Sequence, residues 1–62
     1  MNSRESLIKQ RDCFRKLAEG IDEMIAIDER EAAGENKEVL EKEMESLVGR
    51  YILLIMELES LK

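Results

Sequence analysis

"AAGEN", residues 32–36, is the stretch of this sequence that favours a break between two helices. Gly34 can adopt the left-handed backbone conformation that ends a helix, and Asn36 is a preferred residue at the start of the next one. The chain has no proline, and Glu, Lys, Leu, Ile, Met, Ala and Arg dominate on both sides of this stretch. The sequence therefore predicts helices at about 3–32 and 37–61, joined by a turn at Gly34.

Each predicted helix carries a seam of residues spaced by alternating steps of three and four, as in helices that pack along one stripe. The seam positions of the first helix are Leu7, Gln10, Phe14, Leu17, Ile21, Met24 and Asp28. Those of the second helix are Leu40, Met44, Leu47, Tyr51, Leu54, Leu58 and Leu61. Folding the chain back at Gly34 matches every position, from Leu7 with Leu61 to Asp28 with Leu40. This match predicts an all-α, antiparallel two-helix hairpin rather than one continuous helix in a long coiled coil. Because Asp28 is a poor seam residue, we expect loose packing beside the turn.

The start of the first helix has a capping signal in "NSRE", residues 2–5. Asn2 is followed three residues later by Glu5, which is the spacing of a capping box. We therefore expect Asn2 to cap this helix.

The small size of the chain indicates that one copy is marginally stable alone. A single domain of 62 residues buries little apolar surface, and such domains usually need a disulfide, a metal or a partner. Cys13 is the one cysteine and there is no histidine, so we predict no disulfide, metal site or cofactor. Glu38, Glu41 and Glu45 share one helical face, but such a row is more typical of a solvated surface. Oligomerisation is the remaining source of stability.

One flank of the predicted seam is apolar over its middle. It contains Ala18, Ile25, Val48 and Ile55, whereas the opposite flank is more polar and carries Cys13, Gly20, Ile27, Glu43, Arg50 and Glu57. The sequence predicts a homodimer that forms a four-helix bundle through Ala18, Ile25, Val48 and Ile55. A heteromeric partner on this flank is the alternative.

A run of six apolar residues, "YILLIM" at 51–56, exceeds what this seam and flank require. Ile52, Leu53 and Met56 are left over, and Gly49 precedes them by one turn. Together these four residues predict a binding site for a helical segment of another protein. Core in a larger assembly and contact with a membrane surface are the alternatives.

Charge and hydropathy limit the classes of partner. The net charge of −5 and the presence of only two aromatic residues argue against nucleic acid. No apolar run approaches the length of a membrane span, and the N-terminus does not resemble a secretion signal. We expect a soluble, cytoplasmic protein.

The segment "LEKEMESLVGRY", residues 40–51, is similar in rhythm to the second helix of the small aspartyl-phosphate phosphatases of sporulating bacteria. Those proteins are helical hairpins with the signature Ser-Gln-Glu-Leu-Asp. Glu43 and Met44 match its Glu and Leu, whereas Glu41, Lys42 and Glu45 replace the Ser, Gln and Asp. The resemblance covers about a fifth of the chain. It implies a phosphatase of a response regulator, with Glu43 and Glu45 as the candidate acids.

The two functional hypotheses belong to different classes. The leading one is a small non-enzymatic protein-protein interaction module, acting as an adaptor, chaperone or regulator, because no catalytic constellation is legible in the sequence. The alternative is the phosphatase implied by the resemblance.

Overall fold

The computed structural model describes residues 3–61 as two helices that pack against each other as a hairpin. Helix α1 comprises Ser3–Ala32 and helix α2 comprises Lys37–Ser60. The hairpin is a rod with extents of 49 × 15 × 10 Å. These observations confirm the predicted all-α hairpin and its turn. Helix α2 ends one residue earlier than predicted, since Leu61 is its C-cap. The predicted cap at Asn2 lies outside the described residues.

The turn is formed by the residues that predicted it. Gly34 has a φ of 91°, in the left-handed region that favours glycine. The Gly34 N–H donates to the Glu31 carbonyl oxygen at 3.0 Å, and the Glu35 N–H donates to that of Arg30 at 3.1 Å. This pair of hydrogen bonds is the Schellman arrangement, which satisfies the last carbonyl groups of α1.

Helix α2 begins at an asparagine cap, as predicted. The Asn36 Oδ1 accepts hydrogen bonds from the backbone N–H groups of Glu38 and Val39, at 2.9 and 3.3 Å. These are two of the N–H groups at the start of a helix that have no partner within the helix itself. The side chain of Asn36 therefore fixes the first turn of α2.

The seam of α2 is the predicted one. The side chains of Leu40, Leu47 and Leu58 are buried, and those of Met44, Tyr51, Leu54 and Leu61 are partly buried against α1. The predicted seam of α1, by contrast, is only half correct. Its inward residues are Ser6, Gln10, Cys13, Leu17, Gly20, Met24 and Ile27. Gln10, Leu17 and Met24 hold their predicted places, but the other positions are shifted by one residue.

This shift turns large apolar side chains of α1 outward. Leu7, Phe14 and Ile21 are 63%, 56% and 43% exposed, and Asp28 is exposed as well. Cys13 and Ile27, which the sequence had placed on a polar flank, are instead buried core residues. The assignment of Leu7, Phe14, Ile21 and Asp28 to the hairpin seam was therefore wrong.

Two physical effects favour the observed alignment. Placing Ile27 beside Leu40 leaves the Asp28 carboxylate in water, where its charge is not desolvated. At the open end, the Ser6 hydroxyl donates to the Leu61 carbonyl oxygen at 3.1 Å and accepts from the Gln10 Nε2 at 3.2 Å. The turn end is therefore well packed, with Leu40 only 2% exposed, and the predicted loose packing there was wrong.

Candidate interaction surface

One side of the hairpin is lined by charged residues of both helices, and we call it the ionic flank. The Arg30 Nη1 lies 2.8 Å from the Glu43 Oε2, and the Arg50 Nη2 lies 3.6 Å from the Glu23 Oε2. Arg30 also pairs with Glu35 at 2.7 Å, and hydrogen bonding to Glu35 raises the pKa of its guanidinium. All of these groups are exposed, so solvent screens each pair and it contributes little to stability. These ion pairs identify the polar side of the hairpin.

The other side of the hairpin is an apolar face. Its residues share exposure to solvent and a position beside the seam, on the side away from the ionic flank. We define the apolar face as Leu7, Phe14, Ala18, Ile21 and Ile25 of α1 with Val48, Ile52 and Ile55 of α2. In an antiparallel helix pair, the row on one side of the seam in α1 lies next to the row on the same side of the seam in α2. Because the charged rows of both helices lie together on one side, the apolar rows lie together on the other.

The four residues predicted for a dimer interface all lie on this apolar face. Ala18, Ile25, Val48 and Ile55 are exposed within the single hairpin. Sequence reasoning missed that Leu7, Phe14 and Ile21 belong with them, because it had assigned these three to the hairpin seam. A signal was present, since α1 carries apolar residues in two adjacent stripes and one partner helix can cover only one of them.

The four residues predicted to bind another protein, Gly49, Ile52, Leu53 and Met56, are exposed on the outer surface of α2. Ile52 lies beside Ile55 on the apolar face. Leu53 instead lines a groove on the ionic flank, which also contains Lys16, Glu19, Gly20, Glu23, Arg50 and Glu57. At Gly49 an added Cβ would meet open space, so the backbone there is accessible to a partner.

Charged residues border the apolar face differently at its two ends. Helical spacing places Arg4 and Arg11 in its α1 row toward the open end of the hairpin. Toward the turn the same spacing places Asp28 in the α1 row, and Glu41 and Glu45 in the α2 row. The same spacing places Glu59 in the α2 row at the open end, so positive charge there is confined to the α1 row, whereas both rows are acidic toward the turn.

Cys13 is enclosed by the hairpin. Its side chain is 3% exposed and packs in one cluster with Leu17 and Leu58. Burial raises the pKa of the Cys13 thiol, and the nearby Glu57 carboxylate raises it further. This environment disfavours the thiolate, which is the reactive form of cysteine. Cys13 therefore acts as a small core residue in this fold.

The two acids named by the phosphatase resemblance are not brought together as a pair. Glu43 is engaged by Arg30 on the ionic flank, whereas Glu45 is an exposed residue bordering the apolar face. Glu38, Glu41 and Glu45 are likewise exposed. Within the described part of the chain, no three acidic or cysteine side chains are grouped so as to hold a metal ion.

Neither helix within residues 3–61 combines the length and the hydropathy needed to cross a membrane. Comparison of the chain with protein families, with curated proteins and with solved structures yields no match.

Proposed function

We propose that this chain is a small non-enzymatic protein-protein interaction module that acts as a homodimer. The observation that carries the proposal is the apolar face, on which large hydrophobic side chains of both helices are exposed side by side. Contiguous apolar surface of this kind on a small protein is typical of an interaction site. The proposed dimer is a four-helix bundle in which the two apolar faces cover each other.

The energetics of the single hairpin support self-association. Its described core consists of two small clusters, one around Leu58 and one around Leu40. Fully burying one exposed Leu, Ile, Val or Phe side chain contributes about 1.5–3 kcal/mol. The large side chains of the apolar face are 37–63% exposed, so each would add only part of this amount, and the loss of freedom on association opposes the total. Covering this face supports self-association as a source of the stability that a two-helix hairpin lacks.

A second surface remains accessible in such a dimer. Gly49, Leu53 and Met56 lie outside the apolar face, and we propose them as the contact for a helical segment of another protein. Leu53 offers an exposed apolar side chain beside the Gly20 groove, and Met56 a flexible one that adapts to different partners. The sequence analysis grouped Ile52 with them, but we assign Ile52 to the dimer interface because it lies on the apolar face.

Sedimentation equilibrium of matched glutamate variants tests the dimer. Ile55→Glu should shift the mass toward the monomer, because it places a charge in the covered face. Leu53→Glu makes the same change at an exposed apolar residue outside that face, and it should leave the dimer intact. A wild-type chain that is monomeric over the whole concentration range, or a dimer that is unaffected by Ile55→Glu, would refute the proposal.

Two serine variants test which outer residues of α2 belong to the dimer interface and which to the docking surface. Leu53→Ser combined with Met56→Ser should preserve both the helical circular dichroism and the dimer. Ile52→Ser alone should weaken the dimer. Unfolding of the double variant would show that Leu53 and Met56 are core residues of an assembly rather than a docking surface.

A further inference from the structure

The apolar face has an internal symmetry. In α1, Leu7 and Ile25 are equally far along the helix from residue 16, and so are Phe14 and Ala18. In α2, Val48 and Ile55 are equally far from a point between residues 51 and 52. Ile21 is the exception, because its counterpart across residue 16 is Arg11. The other apolar residues of each row are placed evenly about its centre.

These two centres lie at the same level of the hairpin. Leu17, next to the centre of the α1 row, packs in the same cluster as Tyr51, next to the centre of the α2 row. One axis perpendicular to both helices thus passes through the middle of both rows. A two-fold axis requires such an arrangement, because residue i of one copy then meets residue j of the other and j meets i.

We propose that two copies pair about this perpendicular axis, with their turns at opposite ends of the bundle. In this arrangement each α1 runs antiparallel to the α1 of the second copy, and each α2 to its counterpart. Leu7 then faces Ile25 of the second copy, Phe14 faces Ala18, and Val48 faces Ile55. Ile52 meets its own equivalent at the axis. This inference rests on the proposed homodimer and specifies its geometry.

The charges of the α1 row favour the same geometry. Arg4 and Asp28 are equally far from residue 16, so the arginine of one copy falls opposite the aspartate of the other. In the α2 row the same axis brings Glu45 of one copy close to Glu59 of the other, so the favourable charge contact is confined to α1. Opposite charges placed in this way select an orientation even where they add little affinity.

The competing arrangement, with both turns at one end, fits less well. It places α1 opposite α2 of the second copy at the same level. The two end residues of the α1 row then lose their apolar partners: Leu7 lies at the level of Ser60, and Ile25 at the level of Lys42. The acidic borders around Asp28, Glu41 and Glu45 of both copies would also meet, and such contacts between like charges are unfavourable.

Distances between spin labels decide between the two geometries. In a Cys13→Ala background, Ala33→Cys labels the turn and Ser60→Cys labels the open end, both at exposed positions. In the proposed dimer, Ala33→Cys alone should give a label separation approaching the 49 Å length of the hairpin. Ser60→Cys alone should give a shorter separation, about 25 Å along the helix axis, because Ser60 lies closer to the centre of its row. A mixture of the two variants should show an additional, clearly shorter distance.

The opposite pattern would overturn the proposed geometry. With both turns at one end, Ala33→Cys alone would give a separation within about two helix diameters, roughly 20–25 Å, and the mixture would add only longer distances. Sedimentation of the same samples keeps the two proposals separate. A dimer with a short distance between the two Ala33→Cys labels refutes the geometry but keeps the homodimer, whereas a monomer refutes the homodimer itself.

The unmodified chain provides a second measurement in case Cys13→Ala does not fold. A mixture of unlabelled and ¹⁵N-labelled protein can be joined with an amine-reactive crosslinker and analysed by mass spectrometry. Crosslinks between copies should join Lys37 at the turn to Lys9 near the open end. Crosslinks between the two Lys37 residues instead would overturn the proposed geometry.

Discussion

The Ser6 hydroxyl donates a 3.1 Å hydrogen bond to the Leu61 carbonyl oxygen and so joins the start of α1 to the C-cap of α2 at the open end of the hairpin. This contact places Ser6, and not Leu7, on the inner side of α1. Because the inner residues recur with helical spacing, the same choice brings Cys13, Gly20 and Ile27 inside. It leaves Leu7, Phe14 and Ile21 on the outside. One rotation of α1 thus determines both the core of the hairpin and its apolar face.

The alignment of α1 can be tested at two neighbouring residues. Ile27→Val should lower the free energy of unfolding by about 0.5–1.5 kcal/mol, because Ile27 is buried against Leu40. Asp28→Ala removes an exposed side chain and should lower stability less than Ile27→Val does. Urea unfolding of both variants at one protein concentration measures the difference. A larger loss of stability at Asp28 than at Ile27 would contradict the observed rotation of α1.

The raised pKa of Cys13 predicts a loss of stability in alkaline solution. The folded chain holds the thiol proton more tightly than the unfolded chain, whose thiol has the ordinary pKa of 9.0. The contribution to stability is therefore complete below pH 9.0 and is lost as the pH rises through the folded-state pKa.

Comparison with Cys13→Ala isolates this effect from the titration of lysine and tyrosine. Above pH 9.0, the free energy of unfolding of the wild type should fall more steeply than that of the variant. Parallel curves for the two proteins would show that burial of the thiol has no energetic consequence. In agreement with its burial, Cys13 should also react with iodoacetamide much more slowly in the folded chain than in urea.

Gly49 offers a test of the proposed docking surface on α2. An added Cβ there meets open space within the hairpin, so Gly49→Ala should raise the free energy of unfolding by up to about 1 kcal/mol through helix propensity. Gly20→Ala also meets open space and is the matched control. Urea unfolding measures both variants. A loss of stability at Gly49 alone would indicate that the dimer brings another backbone against this position.

A charge exchange tests the pairing of Arg4 with Asp28 across the proposed dimer. Arg4→Asp alone and Asp28→Arg alone should each weaken self-association, since like charges then face each other at both ends of the interface. Mixing the two variants restores two opposite-charge pairs, so the heterodimer should form in preference to either homodimer. Native mass spectrometry reads the three species directly. A statistical mixture with equal affinities would contradict the pairing.

Much of the fold follows from local sequence. Gly34 is favoured in the left-handed conformation that the turn requires, and Asn36 carries the side-chain oxygen that caps α2. The seam of α2 is also set locally, because its leucines form one distinct stripe. Each of these features depends on residues close to one another in the chain, so the sequence determines two helices, one turn and the inner face of α2.

The inner face of α1 was decided only by the tertiary structure. Two largely apolar stripes lie side by side on this helix. They share Gln10, Leu17 and Met24 and differ by one residue at every other position. The periodicity of the sequence favoured the stripe with the larger side chains, Leu7, Phe14 and Ile21. Packing against α2 instead selected the stripe that buries Ile27 rather than the charged Asp28 and lets Ser6 bond to Leu61. That choice depends on contacts between distant parts of the chain, and it leaves the larger side chains exposed on the apolar face.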